Sequence, residues 1–364
     1  MTSIIDYSVI DYCLSKQTLF AAYTLAGETK FNLLISKSST ARTIDSLDQL
    51  NHLKGFTLVP FSNKTKSAIL IEPDLFLKEG EMSLSINQLK QNDIKQGKDL
   101  LRATSQQSYF KQFDQFIRAI NASKFSKLVL SRIHSIEKRE VNLSEIFKTL
   151  NQAYPSHFNY ILYTPESGCW IGSSPEILYE ESGNQAKTIA LAGTQKKASE
   201  HSEEYIWGDK ELKEQAFVVD YIEEILSKSL NGKYKKSNST AIAANVVHLK
   251  TTFSFDKEKI NNKGDFINDL HPTPAVCGIP KYQAQSFIEK TESHDREYYS
   301  GFLGPVNLES RSNLFVNLRC LKVGQSQFHL FVGGGITKDS NAQKEWAETE
   351  LKAETLLSII NKTF

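Results

Sequence analysis

No two cysteines in this chain are spaced as CxxC. The four present, Cys13, Cys169, Cys277 and Cys320, are scattered along 364 residues, which argues against a zinc site and against a disulfide framework. An excess of one charge is missing too. With 43 basic and 42 acidic residues the net charge is +1, so no basic surface advertises a nucleic acid or an anionic membrane as partner. No apolar run approaches the ~18 residues that a membrane helix requires. The opening MTSIIDYSVIDYC has no basic stretch ahead of an apolar one and does not read as a signal peptide. These absences leave a reduced, cytoplasmic protein with chain enough for one large domain or two ordinary ones.

What is present begins with three glycines. Gly333, Gly334 and Gly335 follow Phe331 and Val332 at the end of a strand, and without Cβ atoms they let the backbone approach a ligand. Ser340 and Gln343 read as a capping box opening the next helix. On that helix Glu345, Glu348 and Lys352 fall at i, i+3 and i+7, on the face continued by Leu356 and Ile359. A second stretch, DKELKEQAFVVDYIEEI, repeats the offsets with Glu211 and Glu214 ahead of Val218, Ile222 and Ile225. Charge on an apolar stripe is costly unless something binds it, and the hard cation suited to such oxygens is Mg²⁺. One such helix alone reads more simply as a solvated face with lysine partners. Two with the same pattern favour the cation.

The first 104 residues carry strand-like runs at 31–36, 56–61 and 68–72 but no recognisable chemistry, and polar residues from 88 to 99 suggest a surface link. A helix follows with Phe110, Phe113, Phe116, Ile117 and Ile120 on one face. In KLVLSRI, alternation sets Lys127, Val129 and Ser131 against Leu128, Leu130 and Arg132. Taken by itself, Lys127 is an edge residue in water. Strands are expected at 158–164, 169–172, 176–180 and 188–194. Glu176, after a proline in GSSPEIL, would by itself be a surface carboxylate. Ala192, Gly193 and Thr194 offer backbone N–H groups and a hydroxyl to an anion. Prolines shape LHPTPAVCGIP into a rigid loop. VNLRCLKV reads as one strand over 316–323, with Arg319 on the face of Asn317 and Leu321, where an inward arginine meets a carboxylate. His248 and His271 lack a second imidazole at ligand spacing, which favours hydrogen bonding over metal ligation.

Taken in order, SKLVLSR, GSSPEIL, ALAGT, DKELKE, HLKTT, LHPTPAVCG, YYSGFLGPV, VNLRC, VGGGI and EWAETELK resemble the chorismate-utilising enzymes, and within them the isochorismate synthases. The match runs from about 126 to 352. It implies an α+β fold, a single large chorismate-binding domain like that of anthranilate synthase component I. Two stacked sheets are flanked by helices; residues 1–104 form a variable N-terminal part and 105–364 the catalytic region. It implies chorismate as substrate, Mg²⁺ as cofactor and a monomer. By position Lys127 matches the general base and Glu176 the general acid. Glu211, Glu214, Glu345 and Glu348 match the carboxylates around the metal. Gly193, Thr194, His248, Tyr299, Arg319, Gly334, Gly335 and Lys352 match substrate-binding positions. Where many members have histidine after the second helix glutamate, this chain has Gln215, which donates to a carboxylate but cannot titrate.

The implied reaction adds water at C2 of the ring as the C4 hydroxyl departs, so a base and an acid must stand on opposite sides. The acid must hold a proton near pH 7, so Glu176 should have a raised pKa. The ammonia-using branches draw nitrogen from a glutaminase subunit and generally lack the lysine at this position; Lys127 thus points to water and to no such partner. Salicylate synthases share the lysine and go on to release pyruvate. A catalytically dead chorismate-binding regulator would have lost one of these groups. Menaquinone and catechol siderophore pathways both stay open as destinations.

Overall fold

The computed structural model describes residues 3–83, 89, 91, 101–196, 205–230, 233–243 and 246–363. Its central strands arise where the apolar runs lie. Phe158–Thr164 is buried throughout, because Phe158, Tyr160 and Leu162 enter one core while Ile161 and Tyr163 enter another. Covering both faces explains why this run is apolar at every second residue on each side.

Two nine-stranded sheets form from the described strands, with antiparallel pairing throughout. The first runs from Gly278–Ile279 through Lys127–Glu137, Gln327–Ile336, Cys320–Val323, Gly168–Ser174, Phe158–Thr164, Leu19–Thr24 and Asn32–Ser36 to Leu75–Lys78. The second runs from Lys235–Ala243 through Val246–Asp256, Gln185–Lys196, Ile177–Ser182, Arg311–Val316, Phe302–Val306, Gly55–Val59 and Ala68–Ile71 to Arg42–Ile44. Strands from the first 104 residues therefore belong to both sheets.

The sheets stack face to face. Tyr23, Tyr160 and Trp170 of the first meet Phe56, Leu303 and Phe315 of the second in one core, and the Phe158 and Phe315 rings stack at 4.2 Å. The helices Ser8–Ser15, Leu143–Ala153 and Ala342–Lys362 cover the first sheet's outer face. Asp209–Leu230 and Lys263–Leu270 cover the second's. Gln106–Asn121 buries Tyr109, Phe113, Phe116 and Ile120 against Leu128 and Leu130. Phe110 and Ile117 of the same helix stay half-buried. The fold is α+β, with two stacked sheets and helices outside.

Four local expectations need correction. The run 316–323 is two strands rather than one: Arg311–Val316 belongs to the second sheet and Cys320–Val323 to the first. Between them Arg319 takes a left-handed φ of 48°. Asn317 holds the step, accepting from the Tyr160 hydroxyl at 2.6 Å and donating to Tyr298 O at 3.0 Å. The capping box is displaced by one residue. Asn341 caps the last helix, accepting from Gln343 N and Lys344 N at 3.1 and 3.2 Å, while Ser340 Oγ donates to Glu345 at 2.8 Å. The strand after Pro175 begins at Ile177 rather than Glu176. Of the link expected at 88–99, all but Leu89 and Gln91 lies outside the described residues, and Leu89 is buried against the first sheet's outer core. Among the described residues no helix is long and apolar enough to cross a membrane.

Candidate active site

One cleft, between the two sheets, collects most of the residues singled out from the sequence. Lys127, Glu176, Gly193, Thr194, Glu214, His248, Tyr299, Arg319, Gly334, Gly335 and Lys352 all line it. Glu211, Glu345 and Glu348 are not among its lining residues. Ala275, Val276 and Leu318 supply apolar wall that sequence reasoning missed; nothing in their pattern distinguishes them from ordinary core.

Lys127 is not an edge residue. Its strand lies between Gly278–Ile279 and Gln327–Ile336, and the side chain is 1 % exposed. Alternation works as expected: Leu128 and Leu130 pack under the helices, and Lys127 and Val129 face the cleft. The ammonium lies 2.9 Å from Glu214 Oε1. Gly335 makes room for this pair, since a Cβ there would stand 2.4 Å from Glu214 Oε1 and 2.9 Å from Lys127 Cε.

Glu176 is equally far from a surface carboxylate, at 3 % exposed. Its backbone is pinned through Val316 N to Glu176 O at 3.0 Å and Glu176 N to Ser174 Oγ at 3.3 Å. Burial pushes its carboxyl up to about 8, against the opposing pull of Lys127 and Lys352. At neutral pH this group carries a proton.

The carboxylates of the two helices divide. Glu345 Oε1 accepts from Ser340 Oγ at 2.8 Å and from Lys210 Nζ at 3.1 Å. Glu348 meets Lys352 at 2.7 Å. Burial alone would raise the Glu348 carboxyl, but the charge and hydrogen bond of Lys352 outweigh it and its pKa falls below the ordinary value. Glu211 stands apart, with Oε2 turned back toward Gly208 at the start of its own helix. Among the described residues no three acid, imidazole or thiol groups form a ready cation cage.

Two features nevertheless fit a hard divalent cation. Glu345 Oε2 is buried without a hydrogen-bond partner. The Glu345 and Glu348 oxygens also converge beside Gly334, 3.3 and 3.8 Å from where its Cβ would stand. Burial, then repulsion from Glu348, raises the Glu345 carboxyl, a strain that a cation would relieve. An incomplete protein donor set suits Mg²⁺, which retains waters and binds through one or two carboxylates.

The remaining groups make the cleft receptive to anions. Arg319 is buried and donates to Thr355 Oγ1 at 2.8 Å. Among the described residues no ion pair joins it to a carboxylate, contrary to the expectation from sequence, so its charge is left for a ligand. Lys352 Nζ also donates to Gly333 O at 2.9 Å. His248 Nδ1 lies 3.1 Å from Thr194 Oγ1. Burial, then the charges of Arg319 and Lys352, holds His248 well below its ordinary pKa, so it acts as a neutral hydrogen-bonding ring. Gly193 takes φ +64° at a bulge between Ala192 and Thr194. A side chain there would be strained and would meet Glu211 O at 2.8 Å.

Gln215 departs from its expected contact, and His271 keeps its own. Among the described residues Gln215 donates to no carboxylate. Its amide accepts from Ala192 N at 2.8 Å and donates to Ala190 O at 3.2 Å and Thr251 Oγ1 at 3.0 Å, which clips its helix to the strand bearing Gly193. His271 does hydrogen-bond, to Pro60 O at 3.1 Å, but outside the cleft.

Known proteins share this sequence and architecture. The chain is 29% identical over 314 residues to the vibriobactin-specific isochorismate synthase of Vibrio cholerae, covering 83% of this chain and 78% of that one. It is 28% identical over 267 residues to isochorismate synthase EntC of Escherichia coli K12, covering 71% and 68%. The solved menaquinone-specific isochorismate synthase MenF of Escherichia coli superposes with a TM-score of 0.78 at 20% identity, over 98% of this chain and 92% of that one. Anthranilate synthase component I of Streptococcus pneumoniae superposes at 0.68 and 16%, over 93% and 89%. The chorismate binding enzyme family is matched over residues 63–361, most of both sheets and every cleft residue named above, and to that family this chain belongs.

Proposed function

We propose that this chain is an isochorismate synthase, converting chorismate to isochorismate with Mg²⁺ as cofactor. The observation that carries the reading is that one cleft holds both a buried lysine and a buried carboxylic acid raised to about 8. The names of the relatives above supply the substrate class. Arg319 and Lys352 would bind the carboxylates of chorismate, with Thr194 and the neutral His248 as hydrogen-bonding neighbours. Glu345 and Glu348, with Glu214 close by, would hold Mg²⁺, which when bound neutralises a substrate carboxylate and fixes the ring.

Lys127 would take the proton from water as its oxygen bonds to C2. Only its neutral form can do so, and Glu214 at 2.9 Å holds its nitrogen in place. Glu176 would give its proton to the C4 hydroxyl, which leaves as water. The ring gains one hydroxyl and loses one, a net isomerisation that leaves Lys127 charged and Glu176 ionised, so one proton transfer restores both.

Separation of products after incubation with chorismate and Mg²⁺ tests this reading. Isochorismate is expected, with none when the metal is chelated. Salicylate and pyruvate as the end products would assign the chain to salicylate synthesis instead, and no conversion would refute the enzymatic reading.

A further inference from the structure

A buried ion pair that the proposed chemistry does not use lies behind the cleft wall. Arg296 is 3 % exposed and Glu292 is 9 % exposed. The guanidinium donates from Nε to Glu292 Oε2 at 2.8 Å and from Nη2 to Glu292 Oε1 at 2.6 Å. Its other contacts go to backbone: Nη1 to Val276 O at 2.8 Å, and Nη2 to Val129 O at 2.6 Å. Glu292 Oε1 in turn accepts from Ser131 N at 2.7 Å and Ser131 Oγ at 2.9 Å.

These bonds converge on the parts of the cleft that hold the reacting groups. Val129 and Ser131 belong to the strand that begins at Lys127. Val276 and Val129 both line the cleft, and Val129 N donates to Cys277 O at 2.7 Å. Tyr299, on a third wall, donates from its backbone N to Arg296 O at 2.8 Å. One residue thus joins three walls: its side chain ties the lysine's strand to the 275–277 loop, and its backbone carbonyl holds the Tyr299 turn.

The geometry demands a fork. A guanidinium presents donors in fixed directions to acceptors on separate segments, and its flat face covers the Phe61 ring at 4.4 Å. A lysine has one nitrogen and cannot span Val129 O and Val276 O while also gripping both carboxylate oxygens. A stability role alone would leave unexplained why both carbonyls belong to cleft-lining residues; hydrophobic packing of equal volume is often as stabilising as a buried ion pair.

We propose that Arg296, clamped by Glu292, is a positioning residue that sets where Lys127 stands relative to the bound ring. Its kinetic consequence rests on the isochorismate synthase reading; its structural consequence does not. Neither residue lines the cleft, so Arg296→Lys removes no ligand-binding group and loosens the wall behind Lys127.

The test uses the full chain and two readouts. Amide hydrogen exchange of Arg296→Lys should rise by about tenfold or more across 127–131 and 275–279. Exchange across the distant helix 143–153 should match the parent. In product assays kcat should fall by about a hundredfold, the cost of an ångström-scale misplacement, with KM changed less than about threefold. Should Arg296→Lys lack a cooperative melt, Glu292→Gln carries the same comparison, because it keeps shape and weakens both Arg296 bonds. Unchanged exchange at 127–131, or exchange raised equally in 143–153, overturns the clamp. So does a kcat within about twofold of the parent, or a kcat loss matched by an equal rise in KM. If the parent itself makes no isochorismate, the functional reading fails and the exchange measurement alone decides the clamp.

Discussion

Glu176 shows how burial converts an ordinary residue type into a candidate acid. Nothing in GSSPEIL marks the carboxyl as buried, because the segments that enclose it come from distant parts of the chain. With burial holding its pKa up to about 8, the acid form predominates at pH 7 and is lost as pH rises through that value. The rate should therefore fall on the alkaline side near pH 8. Glu176→Gln cannot supply a proton, so kcat should drop by about 10²–10⁴-fold while chorismate affinity, measured by titration, holds. A parent-like kcat in that variant would move the acid elsewhere. Folding responds with the same sign. A carboxyl raised above its unfolded value of 4.5 favours the folded state at low pH, and that contribution is lost between about 4.5 and 8. Gly335 makes a complementary prediction. Gly335→Ala pushes a methyl group into the Lys127–Glu214 pair, and because both are side-chain ends the fold should survive. Displacement of the proposed base should cost kcat about a hundredfold, and a parent-like rate with an intact melt would free Lys127 from that role.

At the scale of elements, the carboxylate pattern was legible because helical offsets repeat on both helices. Its outcome was only partly so. Glu214, Glu345 and Glu348 turn toward the glycine strand, but Glu211 turns back to Gly208, just before the first turn of its own helix. Glu345→Gln keeps the Ser340 bond and removes charge from the partnerless oxygen. It should raise the Mg²⁺ concentration for half-saturation by about 10–100-fold, read from the fluorescence of Trp346 next to it. An unchanged midpoint would remove Glu345 from the metal site. Gln215 was legible as a departure from the family pattern and illegible as a clip between helix and strand. Gln215→Ala strands the buried Ala192 N–H and Ala190 carbonyl and should cost about 1–3 kcal/mol per unsatisfied group, visible in denaturant unfolding. The break at 317–319 escaped because both halves are genuine strand. Alternation records faces, and says nothing of which sheet a strand joins.

For the whole molecule, periodicity located the strands and the resemblance supplied the way they assemble. Two stacked antiparallel sheets cannot be read from strand positions, since the neighbours of Lys127–Glu137 are Gly278–Ile279 and Gln327–Ile336, far away in sequence. Residues 317–319 carry the chain from one sheet to the other, beside the 174–177 crossing, and bring Arg319 into the cleft that Lys127 and Glu176 also line. The proposed reaction makes a specific claim about atoms: the incoming oxygen is water's, guided by Lys127, and the departing one is the ring's own C4 hydroxyl. Conversion in ¹⁸O-enriched water with Mg²⁺, followed by mass spectrometry of the product, measures this directly. The account predicts isochorismate with one solvent oxygen, placed at the C2 hydroxyl. Isochorismate carrying no solvent oxygen would contradict it.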